Sequence, residues 1–362
     1  MKIITIAGAR PNFIKIAPLC RAFNKRKDRF EHLICHTGQH FDRNMSKIFF
    51  EQLEMPEPDF NLGVSGGTHA DQTARIMIEF EKIMNQHKPD LILVPGDVNS
   101  TLACSVVASK LGTKIGHVEA GLRSFDRGMP EEINRIVTDV LSDYLFISEE
   151  AGLTNLRQEG LSEDKLHFVG NIMIDSLVHF LPTIEQSGIL DTLNLTARQY
   201  TLMTFHRPSN VDTRPSLTQL VDMLNRLSVK TKLVFPVHPR TRKNLEKFDL
   251  ISKLSKEILT LDPIGYIDFL SLTRSANLLI TDSGGIQEET TFLGVQCITV
   301  RNNTERPITV TTGTNQLIGT ELEAVERAAL EVLNGNIKKG KIPEKWDGLT
   351  AERIVDIIDK SN

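Results

Sequence analysis

Short apolar runs rich in branched residues alternate with amphipathic stretches along almost the whole chain. Runs near Lys2–Ala7, His32–His36, Leu91–Pro95, Lys114–Val118, Tyr144–Ile147 and Leu166–Val169 predict strands. Between them a 3.6-residue repeat predicts helices near Phe13–Asn24, Asp42–Leu53, Ala70–His87, Thr101–Leu111, Glu131–Ser142 and Ala151–Glu159. A second series of strands follows at Thr201–Thr204, Leu233–Pro236, Leu259–Leu261, Leu278–Thr281 and Cys297–Val300, again with helices between, and Ala351–Lys360 is a last helix. Strands alternating with helices build parallel sheets with crossover connections. The expected architecture is α/β: two doubly wound domains over residues 1–170 and 171–345, facing a central cleft. Residues 346–362 are expected to pack back on the N-terminal domain.

Open α/β sheets bind ligands beyond the carboxyl ends of their strands, so the residues that follow each strand carry the chemistry. The most informative stretch is Leu278–Phe292. There a strand, the turn Asp282-Ser283-Gly284-Gly285 and a helix leave free N–H groups at a helix start, where partial positive charge favours an anion. Glu289, one turn in, suits two sugar hydroxyls. The same residues also suit an ordinary helix with Ser283 as cap and acidic residues answering the dipole.

After the first strand come Gly8-Ala9-Arg10-Pro11 and Lys15, two cations at a strand end. His36 to His40 follow the second strand; with His32 they have metal-like spacing only on a helix, and this segment reads as strand and turn, so no metal site is expected. Asp97 ends one strand, although Asp also caps helices there. Glu119 lies between a strand end and a glycine turn, where a carboxylate has little structural reason to be, which makes it an acid/base candidate. Pro130-Glu131-Glu132-Ile133-Asn134-Arg135 opens a helix in a way that helix chemistry alone explains, with Glu131 pairing with Arg135 at spacing four. Crowding of Asp97, Glu119 and Glu131 at one sheet edge is nonetheless how a site obtains both an acid and a base near neutrality. The second half adds His206-Arg207, His238 and Arg306 at strand ends.

Composition narrows the class. With 362 residues, 40% apolar, 24% charged and a net charge of −4, the chain is neither a nucleic-acid binder nor a membrane-docking protein. No apolar run of about 18 residues is present, and the apolar start is too short for a secretory signal and reads as a strand. Cys20, Cys35, Cys104 and Cys297 lack paired spacing, which predicts reduced thiols and a cytoplasmic location. Neither a dinucleotide fingerprint nor a Walker A sequence occurs.

Taken in order, G-A-R-P-x-x-x-K, G-D-x-x-S-T, G-H-V-E-A-G-L-R, M-P-E-E-I-N-R, H-R, D-S-G-G-I-Q-E-E and T-E-R-P span nearly the whole chain. In these motifs the sequence resembles the non-hydrolysing UDP-N-acetylglucosamine 2-epimerases, whose two Rossmann-like domains are glycosyltransferase-B-like. The resemblance implies interconversion of UDP-N-acetylglucosamine and UDP-N-acetylmannosamine, supplying cell-surface polysaccharide precursors, in a homodimer without cofactor or metal. By motif it assigns Asp97, Glu119, Glu131 and His206 to catalysis. Arg10, Lys15, Arg135, His238, Ser283, Gly284, Gly285, Glu289 and Arg306 are assigned to substrate binding, and Gln39, His40 and Arg207 to allosteric activation. His206-Arg207-Pro208-Ser209-Asn210 departs from the family's usual His-Arg-Arg-Glu-Asn. Relatives acting on UDP-2,3-diacetamido uronic acids share the motifs, and a hydrolysing 2-epimerase, a glycosyltransferase or a non-catalytic sugar-nucleotide binder remain as alternatives.

Overall fold

The computed structural model describes residues 1–8, 10–38, 50 and 52–361. They form two compact units, each built on its own parallel sheet. The first sheet holds β1 (Lys2–Ala7), β2 (Glu31–His36), β3 (Phe60–Asn61), β4 (Leu91–Pro95), β5 (Lys114–Ala120), β6 (Tyr144–Ile147) and β7 (Leu166–Phe168). Their spatial order is β3-β2-β1-β4-β5-β6-β7. The second sheet holds β8 (Tyr200–Thr204), β9 (Lys232–Pro236), β10 (Ile258–Leu261), β11 (Leu278–Thr281), β12 (Gln296–Thr299) and β13 (Asn315–Leu317), in the order β10-β9-β8-β11-β12-β13. The two short edge strands β3 and β13 were beyond the reach of hydrophobic patterning, because Phe60-Asn61 and Asn315-Gln316-Leu317 contain no apolar run.

Both sheets are buried on two faces, which is why their central strands are continuous apolar runs. In the first unit Ile3, Leu91, Leu93, Val118 and Phe146 pack to one side, and Ile4, Ile6, Ile92, Val94 and Ile115 to the other. In the second unit Met203, Leu233, Phe235, Ile280 and Ile298 form one core, and Tyr200, Leu202, Val234, Leu279 and Val295 the other. Strand order reverses between β1 and β4 in the first sheet and between β8 and β11 in the second. Those switch points open crevices at the carboxyl ends of the strands. They bring together the turns after β1 and β4, and the turns after β8 and β11.

The units comprise Met1–His179 with Glu344–Asn362, and Phe180–Pro343. The division therefore falls after residue 179 rather than after residue 170, inside the helix Ile172–Glu185. Its first turns belong to the first core, where Ile172 is buried and Ser176 Oγ donates to Ile14 O at 2.5 Å. The final helix, Thr350–Lys360, lies in the first unit, with Ala351, Ile354, Val355 and Ile358 buried beside Leu19 and Phe23. Asp175 accepts from the backbone N–H of Thr350 (3.1 Å) and Ala351 (2.7 Å), so a side chain from a distant helix satisfies this helix start.

Candidate active site

In the first unit Glu119 is 4% exposed and has φ +73°, in the left-handed region that a side chain seldom occupies. The β5–β6 register shifts between Val118 and Ala120, so β5 runs past its expected end through a bulge centred on Glu119. Strain of this kind survives only where the surroundings enforce it, and bulges commonly re-aim a side chain beside a functional site. Lys15 donates to Glu119 Oε2, while Oε1 is buried with no partner among the described residues. Gly96, at φ +72°, makes room for the pair: a Cβ there would stand 3.0 Å from Lys15 Nζ and 3.5 Å from Glu119 Oε2.

Asp97 follows in the same turn and is paired with Arg135 Nη1. Arg135 is also held by Glu132 at 2.7 Å. The i,i+4 pairing expected between Glu131 and Arg135 does not form; Glu132, three residues away and on the buried side of the helix Pro130–Leu141, takes that place. Burial would raise the Glu132 carboxyl. The N–H groups of Ser124 and Phe125, both at 2.9 Å, and the Arg135 guanidinium outweigh that and lower it. Glu131 is half-buried and has no hydrogen-bond partner among the described residues.

In the second unit Asp282, with 0% exposure, organises the crevice between β8 and β11. Its carboxylate accepts from the backbone N–H of His206 (3.1 Å) and Arg207 (2.9 Å), from Asn210 Nδ2 (2.9 Å) and from His206 Nδ1 (3.0 Å). Burial alone would raise this carboxyl, but His206 and these donors lower it. The His206 ring is thereby oriented with Nε2 available, and its side chain is 38% exposed. His238 packs against it with ring centroids 5.3 Å apart.

The helix Gly284–Leu293 begins as expected after the Ser283 turn, but the Ser283 hydroxyl makes no capping bond and no acidic residue occupies the first turn. The ordinary capped-helix reading is thus not what forms. Glu288 and Glu289 are instead buried deeper along the helix. A chain of ion pairs runs from Arg301 to Glu305 (2.8 Å), Glu305 to Arg306 (2.7 Å) and Arg306 to Glu288 (2.8 Å). Arg306 crosses the helix start so closely that a Cβ on Gly284 would stand 2.9 Å from its Nη1. Burial first, and the Glu288 charge second, push the Glu289 carboxyl up to about 8, with the Tyr266 phenol working the other way.

Lys15, Asp97, Glu119 and Arg135 therefore share one strand-end cluster, and His206, His238, Ser283, Gly284 and Arg306 lie at the corresponding end of the second sheet. Arg10 starts a helix, but its side chain lies outside the described residues, as do Gln39 and His40. Arg207 Nε donates to Asp282 O at 3.1 Å. Sequence reasoning missed Glu132, Asp282 and the buried set His117, Asp139 and Arg123. The available signal was Asp139, a carboxylate on a helix face turned to the sheet.

The motif order and both sheets find their counterpart among known proteins. A profile described as UDP-N-acetylglucosamine 2-epimerase matches residues 21–359. The chain belongs to that family. A UDP-N-acetylglucosamine 2-epimerase of Methanococcus maripaludis is 44% identical over 99% of this chain and 98% of its own. The solved structure of the Methanocaldococcus jannaschii UDP-GlcNAc 2-epimerase, in complex with UDP-GlcNAc and UDP, superposes with a TM-score of 0.91 at 43% identity, covering 99% of this chain and 100% of that one. A UDP-2,3-diacetamido-2,3-dideoxy-D-glucuronate 2-epimerase of Pseudomonas aeruginosa is 42% identical over 93% of this chain and 94% of its own. This 2-epimerase is therefore an isomerase on two Rossmann-like sheets, and among its described residues no helix is long and apolar enough to cross a membrane.

Proposed function

We propose that this epimerase inverts C2 of UDP-N-acetylglucosamine to give UDP-N-acetylmannosamine, reversibly and without hydrolysis. The observation that carries the proton-transfer reading is Glu119, a strained, buried carboxylate with one oxygen on Lys15 and the other without a partner among the described residues. The C2 proton of the sugar is not acidic, so its removal is coupled to departure of UDP from C1. The electron pair of the C2–H bond forms the C1–C2 double bond of a 2-acetamidoglucal, and the C1–O pair leaves with the diphosphate. A proton then returns to the opposite face of C2 and UDP re-adds at C1. Glu119 serves one face, and Asp97 or Glu131 the other.

His206, oriented by Asp282, stabilises the charge that develops on the diphosphate, together with Arg306 and the N–H groups of Gly284 and Gly285 at the helix start. Glu289 accepts from the ribose hydroxyls. Arg10 and Lys15 bind on the side of the sugar, and Arg207, Gln39 and His40 mediate activation by a second nucleotide sugar. The enzyme acts in the cytoplasm as a homodimer. All four cysteines are buried free thiols, consistent with a reducing compartment.

Proton NMR of UDP-N-acetylglucosamine with the enzyme in deuterated water tests the reading. UDP-N-acetylmannosamine deuterated at C2, without accumulating UDP and free sugar, is the expected result. Free UDP with N-acetylmannosamine would make the enzyme hydrolysing. An inert sample would favour the diacetamido uronate substrate, a reading supported by the Pseudomonas aeruginosa relative.

A further inference from the structure

Beneath the first-unit cluster lies a group of ionisable side chains that the reaction does not touch. His117 is fully buried on β5, two residues before Glu119. Its Nδ1 meets Asp139 Oδ1 at 2.5 Å, and its Nε2 meets the carbonyl oxygen of Gly96 at 2.9 Å. A carbonyl oxygen can only accept. Asp139 Oδ2 takes the Arg123 guanidinium at 2.7 Å and the Gly121 N–H at 3.1 Å, the surroundings of an ionised carboxylate, which also can only accept. Both ring nitrogens of His117 consequently need a proton. The charges of the group agree: Asp139 binds Arg123 Nη2 at 2.7 Å, and Arg123 binds Glu159 at 2.7 Å. The buried Asp139 and the exposed Glu159, with one guanidinium between them, leave an excess negative charge that an imidazolium cancels. Buried ions are tolerated only when so balanced and hydrogen-bonded. The remaining ionic neighbours, Lys15 and Glu119 beside Gly96, are paired with each other.

The geometry points to His117, in its doubly protonated form, as the positioning residue that ties together the two turns carrying Asp97 and Glu119. One ring nitrogen holds the Gly96 carbonyl, immediately before Asp97. The other holds Asp139, whose second oxygen accepts from Gly121 N at 3.1 Å, two residues after Glu119. Gly96 at φ +72°, Glu119 at φ +73° and Gly121 at φ +80° all lie in the left-handed region. The two glycines adopt this conformation at no cost, but Glu119 does not, and the His117–Asp139 pair ties down the turns on either side of it. A neutral histidine would leave either the Gly96 carbonyl or the Asp139 carboxylate facing a ring lone pair. Either loss would loosen one of the two turns.

This inference rests on the epimerase reading for its kinetic consequence but not for its chemistry. The first measurement is nitrogen-15 NMR of the wild-type enzyme labelled in histidine, with His117 assigned through His117→Gln. Both ring nitrogens of His117 should resonate as protonated at neutral pH, and a singly protonated ring would overturn the inference. This readout is independent of turnover, so it stands even if the substrate assignment fails. The second is the kinetics of His117→Gln, which retains one donor, and of the double variant His117→Gln/Asp139→Asn, which also removes the buried carboxylate that faced the ring. In both, kcat should fall about 100-fold with KM changed less than about threefold, since reacting groups displaced by about 1 Å lose rate before binding. The double variant should recover the thermal midpoint lost by the single one without recovering kcat. Variants with wild-type kcat, or with kcat restored in step with stability, would reduce the pair to a structural ion pair.

Discussion

At the residue scale, the fate of each carboxylate is decided by what reaches it. Glu119 and Glu132 are both buried and acidic, yet Glu132 is saturated by Ser124, Phe125 and Arg135 whereas Glu119 keeps one oxygen without a partner among the described residues. Glu119→Gln should preserve UDP binding, measured calorimetrically, while C2 exchange falls by about 10²–10⁴-fold, the usual worth of a positioned acid or base. Unchanged exchange would remove Glu119 from the mechanism. Glu289 presents the opposite case, a carboxyl pushed up to about 8 by burial and by the Glu288 charge. Accepting from two ribose hydroxyls requires its ionised form. Binding therefore releases a proton wherever the free carboxyl is protonated. Affinity for a UDP-sugar should rise with pH, by up to about tenfold per unit below that value, and level off above it. Calorimetry in buffers of different ionisation enthalpy would show about one proton released near neutrality; no buffer dependence would mean that Glu289 binds in its neutral form.

At the element scale, the helix Pro130–Leu141 shows how function overrides patterning. Its buried side is Glu132, Asn134, Arg135, Thr138 and Asp139, while Ile133 and Val140 face outward. Apolar periodicity would turn the helix the other way. Of the inward polar side chains, Glu132, Asn134, Arg135 and Asp139 are tolerated because each meets a designated partner, as Asn134 Nδ2 does in donating to Asp97 O at 2.8 Å, whereas the Thr138 hydroxyl has none among the described residues. The final helix is secured by a different device. Asp175→Ala removes the acceptor for the N–H groups of Thr350 and Ala351 and should cost about 1–2 kcal/mol, the range seen for lost helix N-caps. Hydrogen exchange should then quicken first in Thr350–Lys360, and uniform destabilisation without that local signature would contradict the capping role.

At the scale of the whole molecule, the chain passes from one compact unit to the other at residues 179–180 and returns at 343–344. The residues proposed to face the nucleotide, His206, Ser283–Gly285, Glu289 and Arg306, all belong to the second unit, so UDP alone should protect that unit selectively. At a UDP concentration of 100 times Kd, slow-exchanging amides within residues 180–343 should gain about 2.7 kcal/mol of protection, with little change in residues 1–170. Equal protection of both would place nucleotide contacts in the first unit as well.

The alternation of strands and helices, the two-sheet architecture and most strand ends were legible in the sequence because continuous apolar runs bounded by glycine turns have few other uses. So were the positions after those strands, since parallel sheets present their carboxyl ends to ligands whatever the side chains are. The sequence alone thus determined the family and where chemistry would gather, and it pointed to Glu119 through a carboxylate set where packing has no need of one. Only the tertiary structure decided that Arg135 turns to Asp97 and Glu132, that Asp282 is the anchor of His206, and that His117 and Asp139 link two strand ends. Those choices join residues far apart in the chain through side-chain geometry and local electrostatics. Hydrophobic periodicity, which records only the inside and outside of a single element, carries no trace of them.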